Sequence, residues 1–217
     1  MMSAGAIREF LIYSYPLFVP VFKKSGLIPL IERQPINIYE AIVKVVVGQM
    51  LSRKAANAIY HKILIKSQEK GLSRTLDLAD NDLICCGLSS NKVKTIAFIR
   101  IQDECNLSYY NKWLNLSPQE LIKEVKSHWG MSDWTANMLS IFYLGHEDVF
   151  PLTDASINRA LNLAHEQVNY KAHIAPEKAK PYRSYLALYL WKALDNGILS
   201  GREAMGHARV REMGVND

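Results

Sequence analysis

The sequence predicts an all-α protein, on three observations. From Asn37 on, apolar residues recur at helical spacing, with Ile38, Ile42 and Val46 in one row. Residues Ser117–Glu120 read Ser-Pro-Gln-Glu, a capping box with proline at the first helical position, which marks the start of a helix. No stretch of the sequence alternates apolar and polar residues as a half-buried strand does. At 217 residues, 49% of them hydrophobic, the chain is long enough to bury a core.

The composition is compatible with a nucleic-acid partner and excludes some kinds of site. The chain carries 26 Lys and Arg against 21 Asp and Glu, a net charge of +5 that is also common in proteins that bind no nucleic acid. Its three cysteines are too few for a four-thiolate zinc or iron–sulfur site. The N-terminus has no signal-peptide pattern, and no segment of membrane-spanning length is free of charge. We therefore expect a cytoplasmic protein, nucleoid-associated in a bacterium, with no membrane partner.

The N-terminal part is predicted to contain helices separated by a short break. Residues 1–35 hold one short helical pattern and then several prolines, which is too little for a separate domain. After Asn37 the helical rows run on to Met50 and Leu51, and most of these side chains are expected in the core. Ser52 can cap the next helix.

Capping signals predict the helices of the middle of the chain. Asp82–Cys86 has the pattern of a short helix closed by Gly87, and Ser89 or Ser90 can open a longer one. The helix that begins after Ser117 runs up to a tight turn.

That tight turn, Gly130–Ser132, lies between two helical patterns. The N–H groups that open the second helix, from Asp133 on, have no intrahelical partners and attract a phosphate. Gly145 ends this helix, Asp154 starts another after a proline-containing loop, and a last helix is expected over about 181–194.

Three motifs resemble those of a known enzyme family. Residues His128–Ala136 read His-Trp-Gly-Met-Ser-Asp-Trp-Thr-Ala and are followed, one helix later, by Pro151 and Asp154. Residues Gly48–Ser52 read Gly-Gln-Met-Leu-Ser, and Lys180–Trp191 contains Pro-Tyr-Arg-Ser and ends in Trp. These segments are similar to the hairpin Leu-Pro-Gly-Ile-Gly-x-x-Thr-Ala, the Gly-Gln-Gln-x-Ser stretch and the Pro-Trp/Tyr-Arg-Ser segment of helix-hairpin-helix (HhH-GPD) DNA glycosylases. The Trp-Thr-Ala continuation resembles the 3-methyladenine DNA glycosylase II (AlkA-type) branch.

The resemblance implies a two-lobed helical fold with the active site in the cleft between the lobes. It assigns residues 1–199 to one glycosylase domain, with the hairpin at about 128–136, and leaves 200–217 as a tail or frayed helix.

The resemblance also implies that Asp154 is the catalytic residue, although an Asp at a helix start is by itself more often a cap. A carboxylate near the sugar can stabilise the positive charge that develops as an N-glycosidic bond breaks, and it can orient or deprotonate the attacking water. Superfamily members that also cut the DNA strand carry a Lys just before the hairpin Thr, where this chain has Trp134. We therefore expect a monofunctional enzyme that needs no cofactor or metal and leaves an abasic site.

The remaining site residues are assigned by the same resemblance. An electron-rich pocket for a flipped alkylbase is expected from Trp134, Trp191, Tyr39 and Met138. Contacts to duplex DNA are expected from Gln49, Met50 as the plug of the gap left by the flipped base, Ser52, Gly130, Ser132, Thr135 and Arg183, with Arg53, Lys54 and Lys92 as candidate phosphate neighbours. Ser132 departs from the family's second hairpin Gly, which can adopt a conformation that is costly for a side chain.

The expected function is excision of alkylated purines such as 3-methyladenine from damaged duplex DNA by a monomer. Three alternatives stay open. The first is a monofunctional glycosylase for uracil, hypoxanthine or a mismatched base, and the second is a non-catalytic module that binds damaged DNA. The third is a helical scaffold that does not touch DNA, and it would have to treat all the motifs as coincidences.

Overall fold

The structure is a computed structural model that describes residues 2–168 and 175–199, without the side chains of 165–168. The predicted tail 200–217 lies outside the described residues. Within the described ranges the chain is helical and contains no strand, which confirms the all-α prediction. The α-helices are α1 Ala4–Ser14, α2 Val19–Lys24, α3 Ile38–Gly48, α4 Arg53–Glu69, α5 Asp80–Cys85, α6 Ser90–Cys105, α7 Pro118–Lys126, α8 Asp133–Leu139, α9 Ala155–Val168 and α10 Arg183–Asp195. Short 3₁₀ segments lie at Pro16–Phe18, Thr75–Asp77, Tyr109–Asn115 and Pro176–Ala179.

The chain divides into two compact units. Unit 2 is the continuous segment Glu32–His146, whereas unit 1 combines Met1–Ile31 with Glu147–Asp217. In unit 1 the two ends of the chain share a core, where the rings of Phe22 and Tyr189 meet edge to face at 5.2 Å between centroids. Pro16, Pro20 and Pro29 therefore belong to a segment that shares a core with α10.

The centre of unit 2 is α3. This helix is apolar on nearly all sides, and Ile42, Val43 and Val46 are fully buried, as expected of a helix surrounded by others. It begins at Asn37, whose side-chain Oδ1 accepts the N–H of Tyr39 at 2.8 Å.

Local capping chemistry starts two further helices where the sequence predicts. The Oγ of Ser52 accepts the N–H of Ala55 at 3.3 Å at the start of α4. The capping box at the start of α7 is complete, because Ser117 and Glu120 each bond to the other's backbone N–H.

The helical rows of α3 end earlier than predicted. Gly48 is the last helical residue, and the N–H of Leu51 closes a turn on the carbonyl of Gly48 at 3.2 Å. Met50 is fully exposed and Leu51 is 39% exposed, so the buried part of the predicted helical rows ends before these two residues. The chain leaves the helix before these side chains could reach the apolar face.

The helix after the hairpin is shorter than its sequence pattern suggests. Regular α8 ends at Leu139 and continues as a π-helical turn, Ser140–Leu144, which Gly145 closes at a φ of +80°. A Cβ on Gly145 would lie 2.7 Å from the backbone nitrogen of Arg33, so only glycine fits there. Among the described helices, none is long and apolar enough to cross a membrane.

Candidate active site and nucleic-acid interface

Asp154 lies at the start of α9 in unit 1 and is 9% exposed. Its Oδ1 accepts the N–H of Ile157 at 2.8 Å, so the residue is an N-cap, as its position in the sequence suggests. The same oxygen accepts the indole N–H of Trp191 at 3.0 Å. Two N–H donors on one oxygen fix the plane of the carboxylate.

The loop before Asp154 is held by three consecutive residues, the last two of the Pro-Tyr-Arg-Ser segment and the tyrosine that follows it. The guanidinium of Arg183 pairs with Asp148 through its Nε at 2.6 Å and its Nη2 at 3.1 Å. The hydroxyl of Ser184 accepts the N–H of Val149 at 2.9 Å and donates to the carbonyl of the same residue at 3.1 Å. The start of α10 therefore fixes the path of the chain that leads to Asp154.

A third contact completes this attachment. The hydroxyl of Tyr185 donates to Glu147 Oε1 at 2.7 Å, and the backbone N–H of Ser184 donates to the Glu147 carbonyl at 2.9 Å. Burial raises the pKa of Tyr185, which keeps its hydroxyl protonated and able to donate. We call residues 147–149 and 183–185 together the loop anchor.

Gly130 in the hairpin of unit 2 cannot be replaced without strain. Its φ is +76°, and a Cβ there would lie 2.0 Å from the Oγ1 of Thr95 on α6. Thr95 is itself buried, and its hydroxyl donates to the carbonyl of Asn91 at 3.0 Å. The turn therefore packs directly on α6, which no local pattern in the sequence reveals.

Ser132 has ordinary extended backbone at φ −143°, so the expectation of a costly conformation at the second hairpin position is wrong. Its N–H donates to the Oγ1 of Thr135 at 3.4 Å. Because this backbone is extended, a side chain at position 132 is accommodated, and Thr135 in the first turn of α8 accepts the N–H of Ser132.

Gln49 connects the two segments of unit 2 that are predicted to contact DNA. Its Nε2 donates to the carbonyl of Gly130 at 3.0 Å and to the Oγ1 of Thr135 at 3.2 Å. The next residue, Met50, is fully exposed and has a left-handed φ of 55°. The structure therefore brings the Gly-Gln-Met-Leu-Ser stretch and the hairpin together.

Other predicted site residues have partners inside their own unit. Tyr39 is buried, donates its hydroxyl to Asp103, and has its pKa raised to about 12, first by burial and then by Asp103. Arg183 is occupied with Asp148, and Lys92 donates its Nζ to the carbonyl of Val47 at 2.8 Å. These placements favour structural roles over the predicted pocket and DNA contacts.

The pocket candidates Trp134 and Met138 lie one helical turn apart on α8. Trp134 is half-buried in the first turn, and Met138 is buried at 7% exposure. They share a face of the helix because residues four apart are neighbours. Among the described residues, no group of three His, Cys, Asp or Glu is placed to hold a metal ion.

Comparison with known proteins identifies the family. DNA-3-methyladenine glycosylase 1 of Schizosaccharomyces pombe is 30% identical over 162 residues, which cover 71% of each chain. The chain belongs to the DNA-3-methyladenine glycosylase family. A solved structure of the 3-methyladenine DNA glycosylase Mag1 of the same yeast, in complex with abasic DNA, matches 80% of this chain and 90% of its own with 26% identity and a TM-score of 0.65. No family model matches the chain.

The glycosylase fold is also found beyond close relatives. The 3-methyladenine DNA glycosylase of Archaeoglobus fulgidus shares 21% identity and a TM-score of 0.66, over 88% of this chain and 69% of its own. The membership in the helix-hairpin-helix superfamily that the three motifs predict is thereby confirmed. In this member of the glycosylase family, unit 1 carries Asp154 and the loop anchor, and unit 2 carries the hairpin.

Sequence reasoning missed the residues that hold the site in place. Ser184 and Thr95 are buried and contact the loop before Asp154 and the hairpin turn, respectively. Ser184 and Thr95 each lie 35 residues from the partner, Val149 and Gly130 respectively, so no helical or turn periodicity connects the residue with its partner. A signal was present only at Ser184, which is part of the Pro-Tyr-Arg-Ser segment.

Proposed function

We propose that the protein is a monofunctional DNA glycosylase that excises alkylated purines such as 3-methyladenine from duplex DNA. The observation that carries this proposal is the carboxylate of Asp154, buried and fixed by two N–H donors in a member of the 3-methyladenine glycosylase family. The relatives' names support the choice of substrate, and the abasic DNA bound to Mag1 supports duplex DNA as the partner.

The proposed reaction is hydrolysis of the N-glycosidic bond. The bond between C1′ and the base nitrogen breaks, and the departing base takes the bonding electrons while the sugar becomes positively charged. The anion of Asp154 stabilises this charge and orients the attacking water, whose oxygen then bonds to C1′ while one of its protons passes to the carboxylate. A base that is already cationic leaves without a general acid, so one carboxylate is sufficient, unlike the pair used in ordinary glycoside hydrolysis.

The proposal assigns DNA binding to unit 2. The N–H groups at the start of α8 would bind a phosphate, and the exposed side chain of Met50 would enter the gap left by the flipped base. Trp134 stands where strand-cutting relatives would carry a Schiff-base lysine, so we propose that the strand stays intact. We further propose that the protein acts as a monomer.

The test is base release from methylated duplex DNA by the wild type and by Asp154→Asn, with chromatography of the freed bases. Asn is as good an N-cap as Asp, so the variant should keep the contact with Ile157 and the fold of α9. We expect released methylpurine from the wild type and a loss on the order of 100-fold or more in the variant. The DNA strand should break only after alkali treatment.

Three other results would point elsewhere. Release of uracil, hypoxanthine or a mismatched base without methylpurine would overturn the proposed substrate but support the proposed glycosylase activity. Strand breaks without alkali would overturn the monofunctional assignment. Binding to damaged duplexes without release of any base would favour a lesion-binding module.

A further inference from the structure

Two loops of unit 2 are joined by one side chain. The plug turn is residues 48–52, and the hairpin is residues 128–136. Gln49 in the plug turn uses its amide nitrogen for both contacts, one to the carbonyl of Gly130 at 3.0 Å and one to the hydroxyl of Thr135 at 3.2 Å. These partners are 81 and 86 residues away in the chain. An amide nitrogen has two hydrogens, so both are used inside the protein.

The two loops also rest on the same helix. Lys92 on α6 donates to the carbonyl of Val47 at the end of α3, at 2.8 Å, just before the plug turn. Thr95, one turn further along α6, lies directly against Gly130 of the hairpin. Burial lowers the pKa of Lys92, whose contact with the helix end partly offsets the cost of desolvation. The plug turn and the hairpin therefore have a common support as well as a direct bond.

Met50 needs such a support. Its φ of 55° is left-handed, a conformation that costs a residue with a side chain about 1 kcal/mol or more and that persists only where the surroundings impose it. The side chain itself is fully exposed and makes no packing contribution that could hold the turn. Gln49, its neighbour in the chain, is the residue through which the hairpin can fix the turn.

We infer that Gln49 is a positioning residue that holds the plug at a fixed place relative to the phosphate-binding hairpin. This inference rests on the proposed function, since it takes Met50 as the plug and the start of α8 as the phosphate site. When the hairpin binds the backbone of the duplex, the bonds of Gln49 fix the position of the plug turn relative to that duplex. Gln49 therefore serves gap filling through contacts of its amide nitrogen inside the protein, and its role as a direct DNA contact stays a prediction.

A positioning role and a merely structural role have different consequences. Loss of a structural contact weakens the hairpin and lowers affinity for every duplex by a similar factor. Loss of the positioning contact leaves the phosphate grip and lowers only the preference for a duplex with a gap to fill. The ratio of two affinities separates these cases, and general destabilisation does not move that ratio.

The experiment measures binding of the full chain to two labelled duplexes by fluorescence anisotropy. One duplex is undamaged, and the other carries a tetrahydrofuran analogue of an abasic site. Gln49→Leu removes both donors, and Met50→Ala gives the reference for a lost plug. Gln68→Leu, an exposed glutamine on α4, is the matched control. Thr135→Ser and Thr135→Val test the same bond from the hairpin side, since only Ser keeps the hydroxyl.

We expect Gln49→Leu to lower the preference for the abasic analogue about tenfold, the effect of losing a hydrogen bond to a partly buried group. Affinity for the undamaged duplex should change by less than about threefold, because phosphate contacts carry most of it. Thr135→Ser and Gln68→Leu should keep the wild-type ratio. In the Met50→Ala background, Gln49→Leu should cause little further loss, because two residues that act through one plug are not additive.

Several results would overturn the inference. These are an unchanged ratio in Gln49→Leu, an equal loss of affinity for both duplexes, or additive losses in the double variant. If Gln49→Leu does not fold, the contrast between Thr135→Ser and Thr135→Val decides in the same way. The binding experiment does not depend on base release. If the wild type prefers the analogue but frees no base in the separate release assay, the proposed activity alone is refuted. A wild type without any preference refutes the positioning role.

Discussion

At the scale of single residues, Trp191 combines two properties that the sequence suggests only in part. Its aromatic ring is predicted to line a pocket for a flipped base. In the structure its indole N–H also donates to Asp154 Oδ1 at 3.0 Å. A carboxylate that must face a sugar benefits from having its plane fixed by such a donor. The residue nearest the proposed chemistry is thus oriented from α10 as well as from its own helix.

Replacement of Trp191 by Phe tests that hydrogen bond. Phe keeps an aromatic ring for stacking but cannot donate to Asp154, so we expect the single-turnover rate of base release to fall about tenfold with DNA affinity nearly unchanged. Trp191→Ala should lose affinity for the damaged duplex in addition, because the stacking surface is gone. A Phe variant with the wild-type rate would show that the indole N–H is dispensable. The thermal midpoint of each variant controls for folding.

Residue identity alone did not determine local conformation at two positions. Ser132 replaces a glycine but lies in extended backbone, whereas Met50 follows the helical row of α3 but adopts a left-handed φ in a turn. At Ser132 the partner is local, the Oγ1 of Thr135 three residues on, whereas next to Met50 the side chain of Gln49 bonds to the hairpin, 81 and 86 residues away. Sequence periodicity describes neighbours along a helix and is silent on such contacts.

At the scale of elements, α10 supports the loop that leads to Asp154. Ser184 is fully buried and bonds both the N–H and the carbonyl of Val149, five residues before Asp154. Ser184→Ala leaves two buried backbone groups without this partner, so we expect a loss of about 1–3 kcal/mol in the free energy of unfolding. The rate of base release should fall as well, because the loop is less fixed.

Ser140 provides the matched control for Ser184→Ala. It is also buried, in the π-helical turn, but its hydroxyl has no hydrogen-bond partner in the structure. Ser140→Ala should therefore leave stability unchanged or raise it. Denaturant unfolding of the two variants checks the difference, and equal stabilities would show that the bonds of Ser184 to Val149 contribute little.

Most elements could be predicted because their signals are local. Asn37, Ser52 and Ser117 cap the helices that the sequence places after them, and Gly87 follows α5 as predicted. The π-helical turn after α8 and the contact of Arg183 with Asp148 were not predicted. Both depend on packing or on partners 35 residues away, for which propensity and capping give no signal.

At the scale of the whole molecule, stability should depend on the protonation of buried histidines. His128 lies among the rings of Tyr109, Tyr110 and Trp113, and its Nδ1 donates to the carbonyl of Glu124 at 2.7 Å. Burial lowers the pKa of His128, so the folded protein keeps this side chain neutral. The unfolded chain binds a proton below about pH 6.5.

The unfolded state therefore binds more protons than the folded state below about pH 6.5, and the free energy of unfolding falls as the pH drops. His128→Asn keeps a donor for the Glu124 carbonyl without a titrating group, so its stability should depend less on pH. Burial also lowers the pKa of His146, which leaves a residual slope. Thermal midpoints measured between about pH 5 and pH 8 test this, and parallel curves for the two proteins would contradict it.

The discontinuity of unit 1 has a consequence for the nascent chain. Unit 2 is encoded by the single stretch Glu32–His146, so all its residues are synthesised before Asp154. The core of unit 1 requires Phe22 to meet Tyr189, a closure over most of the chain, and such long-range contacts form late and slowly. Translation thus makes the part proposed to hold DNA first, and the core around the part proposed to cut the glycosidic bond can close only after Tyr189 has been synthesised.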